Sequence, residues 1–299
     1  MPRVTVVTAA YNAAPFLAET MDSVLAQTFT DFDYIVVDDG SSDTTADIIS
    51  GYASHVVSIR QENAGEGAAR NRGFELASGD YVAIVDADDV WEPRKLERQV
   101  AAMDQSPKSG LCYTNASTIR ADGSISVPLM VQPHRQLTCM TALTGGNPIV
   151  TSSVLYRREY LEDRPYGTSP IAADYHVHLK VLWRCEERAV FIDEPLVRYR
   201  VVDTSALRSV DAWNRGRLTL KAVEAFVDDM REEKPVPRDL ERRGVAYAHF
   251  QWAWYCIQAR DSYGFAMRQL LHAMIDDWRL GPLVVRQFAK MGLFRLGVR

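Results

Sequence analysis

The sequence predicts an α/β fold: a mostly parallel sheet flanked by helices, followed by a C-terminal helical extension. Over residues 4–103 short apolar runs alternate with stretches of helical periodicity, the pattern of βαβ units that place helices on both faces of a sheet. Acidic clusters close two of those runs, and the carboxyl ends of parallel strands are where such sheets collect ligands. Beyond Arg208 only helical periodicity remains.

Val4 to Ala9 is a β-branched run and reads as the first strand, and Phe16, Leu17, Met21, Val24 and Leu25 follow at helical spacing within residues 16–27. Tyr34 to Val37 makes a second strand. It closes on Asp38-Asp39-Gly40-Ser41-Ser42-Asp43, turn residues that lead into the helix-like TTADIISGYA. His55 to Arg60 supplies a third strand, Gly67 to Ala77 a helix, Tyr81 to Val85 a fourth strand and Arg94 to Met103 the next helix. Leu111 to Asn115 reads as a strand. Asp122 to Thr151 is broken by glycines and prolines into loops with short strands, the kind of region that shapes a second substrate's pocket. Val154 to Tyr156 and Ala189 to Ile192 read as strands around a helix at Ala173 to Arg184. Helices are then expected over Trp213 to Met230, Asp239 to Arg260, Ser262 to Trp278 and Leu283 to Phe294, with the two-proline linker Glu232 to Pro237 between the first two.

With 47% hydrophobic and 24% charged residues, the chain of 299 is an ordinary globular one, neither disordered nor collagen-like. Its formal charge of −5 is uneven: residues 1–204 hold 18 basic and 28 acidic side chains, residues 205–299 hold 16 and 11. An acidic front argues against a nucleic-acid binder, which needs a basic footprint, and suits a site for a cation. Cys112, Cys139, Cys185 and Cys256 form no CxxC pair and are expected as free, mostly buried thiols. Met1 and Arg3 lead straight into VTVVTAA without the ordered parts of a signal peptide, so the expected location is cytoplasmic. No stretch approaches the ~18 apolar residues of a membrane span.

Alternate residues of a strand share a face, so Asp86 and Asp88, separated by the small Ala87 where the fourth strand runs out, present two carboxylates together. Hard divalent ions take one or two such carboxylates and complete their shell with water and substrate phosphate, so the pair predicts a metal and diphosphate site. Spacing alone leaves a second reading, acids that cap the next helix, as Asp89 ahead of Pro93 would. Asp38-Asp39 carries the same ambiguity. In Asn63-Ala64-Gly65-Glu66-Gly67-Ala68-Ala69-Arg70-Asn71-Arg72-Gly73 the glycines permit close backbone approach, and Arg70 and Arg72 offer charged donors to phosphate. This stretch lacks the third glycine of GxGxxG, and GxxxxGK[ST] occurs nowhere, which removes the main support for dinucleotide oxidoreductases and phosphate-loop hydrolases.

Taken in order, VTVVTAAYNAAPFLAETMDSVLAQTF, VVDDGSSDTT and NAGEGAARNRGFELASGDYVAIVDADDVWEPRKLERQV resemble the family 2 glycosyltransferases of the GT-A fold, densely over residues 3–103 and more thinly to about residue 205. The resemblance implies a GT-A catalytic domain over 1–205, its nucleotide-sugar half at about 1–110 and its acceptor half at about 111–205, with a helical region over 206–299. It implies an inverting hexosyl or N-acetylhexosaminyl transferase of glycan or polysaccharide biosynthesis. Uridine diphosphate sugars are favoured as donors over thymidine and guanosine ones.

Carried over by position, Ala9, Tyr11 and Asn63 belong to the nucleotide site, Asp39 reads the base, and Arg70 contacts nucleotide or phosphate. Asp86 and Ala87 face the donor, and Asp88 with Asp86 holds Mn²⁺ or Mg²⁺. Asp174, opening a helix in Ala172-Ala173-Asp174-Tyr175-His176-Val177-His178-Leu179, matches the catalytic base. Ala173 stands where the family has glutamate, and His176 where a further acid is common. Asn147, Tyr175 and His176 are expected at the acceptor. His176 and His178 lie two apart and cannot form an i, i+4 metal pair; one is expected packed or facing the acceptor, the other at the surface. Asp193 to Val202 resembles the segment that closes with histidine in the family, a position held here by Val202, which leaves Arg198 and Arg200 to supply charge to the diphosphate. The departures at Ala173 and Val202 keep a catalytically weak nucleotide-sugar-binding or scaffold protein as the alternative.

Residues 279–299 combine Arg279, Arg286, Lys290, Arg295 and Arg299 with apolar residues and no acid. They form a candidate interfacial helix for an anionic membrane, a peripheral contact at the inner face of the cell membrane that suits a saccharide or lipid-linked acceptor, and a packed terminal helix is the other reading.

Overall fold

The computed structural model describes residues 1–120, 123–126, 137–167, 173–201, 212–259 and 263–295. Val202, residues 127–136 of the expected acceptor loops and residues 296–299 of the tail lie outside them, as do the side chains of 290–295.

Four strands, β1 (Val4–Ala10), β2 (Phe32–Asp38), β3 (Val57–Arg60) and β4 (Tyr81–Ile84), pair in parallel in the order β3-β2-β1-β4. Between them run α1 (Leu17–Leu25), α2 (Thr45–Gly51) and α3 (Glu66–Leu76). The central strand β1 is buried almost throughout, and α1 lays Leu17, Met21 and Val24 into the same core, the stripe its spacing predicts. Helix α3 packs so closely on β1 that a β-carbon on Gly73 would sit 2.3 Å from a Val7 methyl. A side chain there would push the helix off the sheet.

The sheet continues in a mixed half. A short strand β5 (Val90–Trp91) and helix α4 (Lys95–Asp104) lead to β6 (Leu111–Arg120) and β7 (Ile125–Ser126). Then come, after α5 (Cys139–Gly145) of the second unit, a 3-10 turn at Thr151–Ser153, β8 (Leu155–Arg157), α6 (Ala173–Arg184) and β9 (Val190–Val201). Strand β8 runs antiparallel to both β4 and β6, β6 runs parallel to β9, and β5 closes the edge antiparallel to β9. Strands β6 and β9 are much longer than expected from the sequence. In β9 the charged residues Asp193, Glu194, Arg198 and Arg200 and Pro195 mask the alternation, and the pairing with β6 shifts register on both sides of Asn115.

The chain folds as two compact units, one of Met1–Thr138 with Pro148–Val202 and one of Cys139–Asn147 with Asp203–Arg299. The second contains α5 (Cys139–Gly145), α7 (Ala212–Glu233), α8 (Arg238–Gln258), α9 (Tyr263–Asp276) and α10 (Gly281–Arg295). Its core joins Phe250, Trp252, Ala253, Cys256 and Ile257 to Ala266, Leu270, Ala273 and Val284. All four cysteines are free and buried.

Candidate active site

Parallel strands deliver the first acids to one edge of the sheet. Asp39 follows β2, and its amide donates to the carbonyl of Ala10 at 2.8 Å, which ties the ends of β1 and β2 together. Its buried carboxylate accepts from Gln61 Nε2 at 2.7 Å and from the amides of Ala64 and Gly65 at 2.9 Å each. The carboxylate therefore pins the loop that opens α3. Gly40 makes this approach possible: its φ is +75°, and a β-carbon there would lie 2.8 Å from the amide nitrogen of Asn63. On the facing side Asn12, with φ +48°, accepts from the amide of Ser42 at 2.9 Å, and the amide of Ala13 donates to Thr45 Oγ1 at 2.8 Å. Tyr11 and Asn63 project to solvent beside this loop, and Ala9 is half-buried in β1.

The acid loop after β4 is held from two directions. From α1, Thr20 Oγ1 donates to the carbonyl of Ala87 at 3.1 Å. From the 3-10 turn, Ser152 Oγ accepts from the Asp86 amide at 3.0 Å and donates to Asp89 Oδ2 at 2.5 Å. The other Asp89 oxygen accepts from the Arg200 amide at 2.8 Å, so Asp89 joins the loop to β9 and points away from solvent. Asp86 and Asp88 stay partly open. Burial, with the charges of Asp174 and Asp88, pushes the Asp86 carboxyl up to about 6 against the pull of Arg70, and burial likewise raises Asp88.

Arg70 on α3 joins these acids to the candidate base. Its guanidinium is 4% exposed and donates through Nη2 to Asp86 Oδ1 at 2.6 Å and Glu66 Oε1 at 2.5 Å, and through Nη1 to Asp174 Oδ1 at 2.9 Å. It also lies over the ring of Tyr166, 5.3 Å from the centroid. Asp174, in the first turn of α6, accepts from the Tyr166 hydroxyl at 3.0 Å on the same oxygen and from Thr151 Oγ1 at 3.0 Å on the other. Burial alone would raise this carboxyl, but Arg70, His178 and the bonds from Tyr166 and Thr151 outweigh it and hold it below the usual carboxylate range.

The structure thus brings Arg70, Asp86 and Asp174 into one network, with Asp88 and Ala87 on the adjoining loop. Arg198 and Arg200, expected at the diphosphate, face other acids: Arg198 Nε donates to Glu92 at 2.6 Å, and Arg200 donates to Glu19 at 2.5 Å and to the carbonyl of Asp88 at 2.7 Å. Tyr175 and His176 are each 6% exposed. Of the pair His176 and His178, one of them expected at the surface, both are buried, and the face of α6 that carries His178 packs against Tyr156. Burial pushes His178 down to about 4, with the Asp174 charge pulling the other way. Asn147 belongs to the helical unit. Four residues the motifs did not point to complete the network: Glu66, Thr151, Ser152 and Tyr166. Only Glu66, one turn before Arg70, carried a signal that spacing could have read.

Among the described residues no three His, Cys, Asp or Glu side chains gather as a complete metal centre. Asp86 and Asp88 nonetheless fit an ion of the magnesium type. They are two carboxylates at one strand end, both raised toward neutrality by burial, so a cation would relieve their cost, and water or phosphate would complete its shell.

The family model for glycosyl transferase family 2 matches residues 5–164. A putative teichuronic acid biosynthesis glycosyltransferase of Bacillus subtilis, TuaG, is 39% identical over 224 residues, 73% of this chain and 86% of that protein. Of other curated relatives the chain spans about half the length, 52% of one and 53% of others. Among solved structures, S. aureus TarS 1-349 in complex with UDP-GlcNAc superposes with TM-score 0.67 at 19% identity, over 99% of this chain and 92% of that one. The mannosyltransferase PcManGT from Pyrobaculum calidifontis, in complex with GDP-Man and Mn²⁺, does so with TM-score 0.63 at 20% identity, over 92% and 75%. At such identities the two structures speak for the fold, which is the GT-A arrangement expected from the sequence. With the family model matched over more than half its length and TuaG similar along 73% of it, the chain belongs to glycosyl transferase family 2.

Proposed function

We propose that the chain is an inverting glycosyltransferase that moves a sugar from a nucleoside diphosphate sugar, with uridine diphosphate the favoured nucleotide, to an acceptor hydroxyl in polysaccharide or glycan synthesis. The observation that carries this reading is the single guanidinium of Arg70 bonded both to Asp86 of the donor loop and to Asp174 at the start of α6. It sets the candidate base beside the acids that would face the donor. The resemblance to relatives named for teichuronic acid biosynthesis and, at 30% identity, for amylovoran biosynthesis in Erwinia amylovora supports the substrate class.

Asp39 and the loop it pins form the nucleotide end of the site, where a carboxylate can accept from a base or ribose. Asp174 Oδ1 is taken up by Arg70 and Tyr166, whereas among the described residues Oδ2 accepts only the Thr151 hydroxyl, so Oδ2 is the atom that receives the acceptor's proton. The acceptor oxygen forms its bond to the anomeric carbon as the bond to the diphosphate breaks. The electron pair leaves on the diphosphate, and attack from the opposite face inverts the configuration. A divalent cation held by Asp88 and Asp86 would supply the positive charge that stabilises the leaving group. A lipid-linked acceptor would bring the chain to a bilayer surface.

The second reading, a weakly active nucleotide-sugar-binding protein, is favoured by the depressed Asp174 carboxyl and by its engagement on both oxygens. Uridine, thymidine and guanosine diphosphates, each with and without Mn²⁺ or Mg²⁺, are screened by thermal shift, and the matching sugars are then assayed for transfer. Asp174→Asn is expected to cut turnover by about 10²- to 10⁴-fold while nucleotide binding persists. Turnover unchanged in that variant removes the base assignment, and nucleotide binding without transfer by the parent chain favours the second reading.

A further inference from the structure

We propose that the exposed face of α9, with Trp278 beyond it, docks the chain on an anionic phospholipid bilayer. Helix α9 buries Ala266, Gln269, Leu270 and Ala273 in the core of the helical unit. Its opposite face carries Met267, Leu271, Met274 and Ile275, at spacings of one helical face, and Trp278 opens the 3-10 turn that follows the helix. Ile275 and Trp278 are 74% and 80% exposed, more than isolated surface apolar residues need explain. Leu283 and Val285 at the start of α10 are exposed too. The core of α9 is complete without these residues, so their apolar character is not explained by folding.

The charge around this face selects its occupant. From Tyr263 to Ala289 the acids are Asp276, half-buried, and Asp277, buried and bound to Arg279. Arg268, Arg279 and Arg286 are exposed over the same span. Arg279 is already paired with Asp277 and lies 3.5 Å from the exposed Asp239 of α8, while a second copy seated on this face through a two-fold axis would set Arg268 and Arg286 against themselves. A bilayer with anionic headgroups meets them with phosphate, takes the aliphatic side chains below headgroup level and suits a tryptophan at the boundary. No helix among the described residues is long and apolar enough to cross a membrane, so the contact lies on the surface.

This moves the interfacial element upstream of the 279–299 stretch that the sequence suggested. Val284 is buried and Phe288 packs on the helical core, so part of that stretch's apolar content is already used. A truncation at Trp278 would leave most of the docking face in place.

The test is flotation of the full chain with vesicles of phosphatidylcholine alone and of phosphatidylcholine with phosphatidylglycerol. No donor or acceptor is present, so the outcome is independent of sugar transfer. The parent chain is expected to float with the phosphatidylglycerol vesicles, less as salt rises, and to stay behind with phosphatidylcholine alone. Ile275→Glu with Trp278→Glu, both at exposed positions, should keep the thermal midpoint and weaken binding at least about tenfold. Arg268→Glu with Arg286→Glu should weaken it and flatten its salt dependence. Failure of the parent chain to float, or flotation of the Ile275→Glu/Trp278→Glu variant at the parent level, overturns the proposal. So does a dimer in solution that this variant disperses while neither protein binds vesicles, because the face would then be a contact between copies.

Discussion

Asp39 and Asp174 are both carboxylates fixed by hydrogen bonds at the carboxyl edge of the sheet, yet they are fixed by different kinds of partner. Asp39 is held by two backbone amides and a carboxamide from residues 61–65, the next loop of the same parallel half. Asp174 is held only by side chains, from Arg70, Thr151 and Tyr166, drawn from the parallel half, the 3-10 turn and the approach to α6. The loop around Asp39 is therefore a product of chain geometry, and the candidate base is a product of three chosen side chains. The first should tolerate substitution of its neighbours, and the second should not.

The strongest way to break that contrast is to remove the shared cation. Arg70→Met leaves the partly buried Asp86 and Asp174 without their shared cation and should cost about 3 kcal/mol of stability, measured by chemical denaturation. A loss under about 1 kcal/mol would mean that solvent already screens these acids. Next comes Thr151→Val, which keeps the shape and deletes the bond to Asp174 Oδ2. A hydrogen bond to a charged group is worth about 1.5–3 kcal/mol, so kcat should fall by about tenfold or more with the donor's KM unchanged, and Thr151→Ser should restore it. Equal effects on kcat and KM, or no rescue, would mark Thr151 as merely structural.

The smallest effect sharpens the comparison from behind the turn. Lys95 is fully buried, lies 3.8 Å from the centroid of the Trp91 ring and donates to Gln99 at 2.7 Å. Trp91 and Gln99 in turn donate to the carbonyls of Ser152 and Ser153 at 2.9 Å each, so a polar layer inside the core braces the 3-10 turn. Burial pushes the Lys95 amine down to about 7. Below that value the amine is protonated in both the folded and unfolded chain, and the cost of burying charge is complete. Between it and the ordinary lysine value of about 10.4 only the unfolded chain keeps the proton, so the cost is withdrawn and stability rises with pH. Lys95→Met should therefore raise the thermal midpoint more at about pH 6 than at about pH 9. A gap that widens with pH would refute the assignment.

The same contrast explains what the sequence made legible. The parallel half and the places of Asp39 and Asp86–Asp88 at its strand ends followed from short apolar runs and the residues that end them, because strand, turn and helix are set by neighbours along the chain. The long β9 did not follow, since its half-exposed face is charged. Nor did Thr151 and Ser152, which look like any polar pair in a loop; their partners are 23 residues away at Asp174 and 66 away at Asp86. Tyr166 carries no local signal either, since its place in the site comes from Arg70 and Asp174 beside it.

The bond from Ser152 to the acid loop also bears on the order in which the protein is made. Strands β1 to β4 are complete once Ile84 has left the ribosome, and their pairing needs nothing later. The Asp86 amide and the Asp89 carboxylate, by contrast, wait for Ser152 and then for the Arg200 amide in β9. During vectorial synthesis the acids at the end of β4 thus lack these partners until Ser152 and then Arg200 have followed, an interval in which a chaperone or a premature ligand would meet the open form.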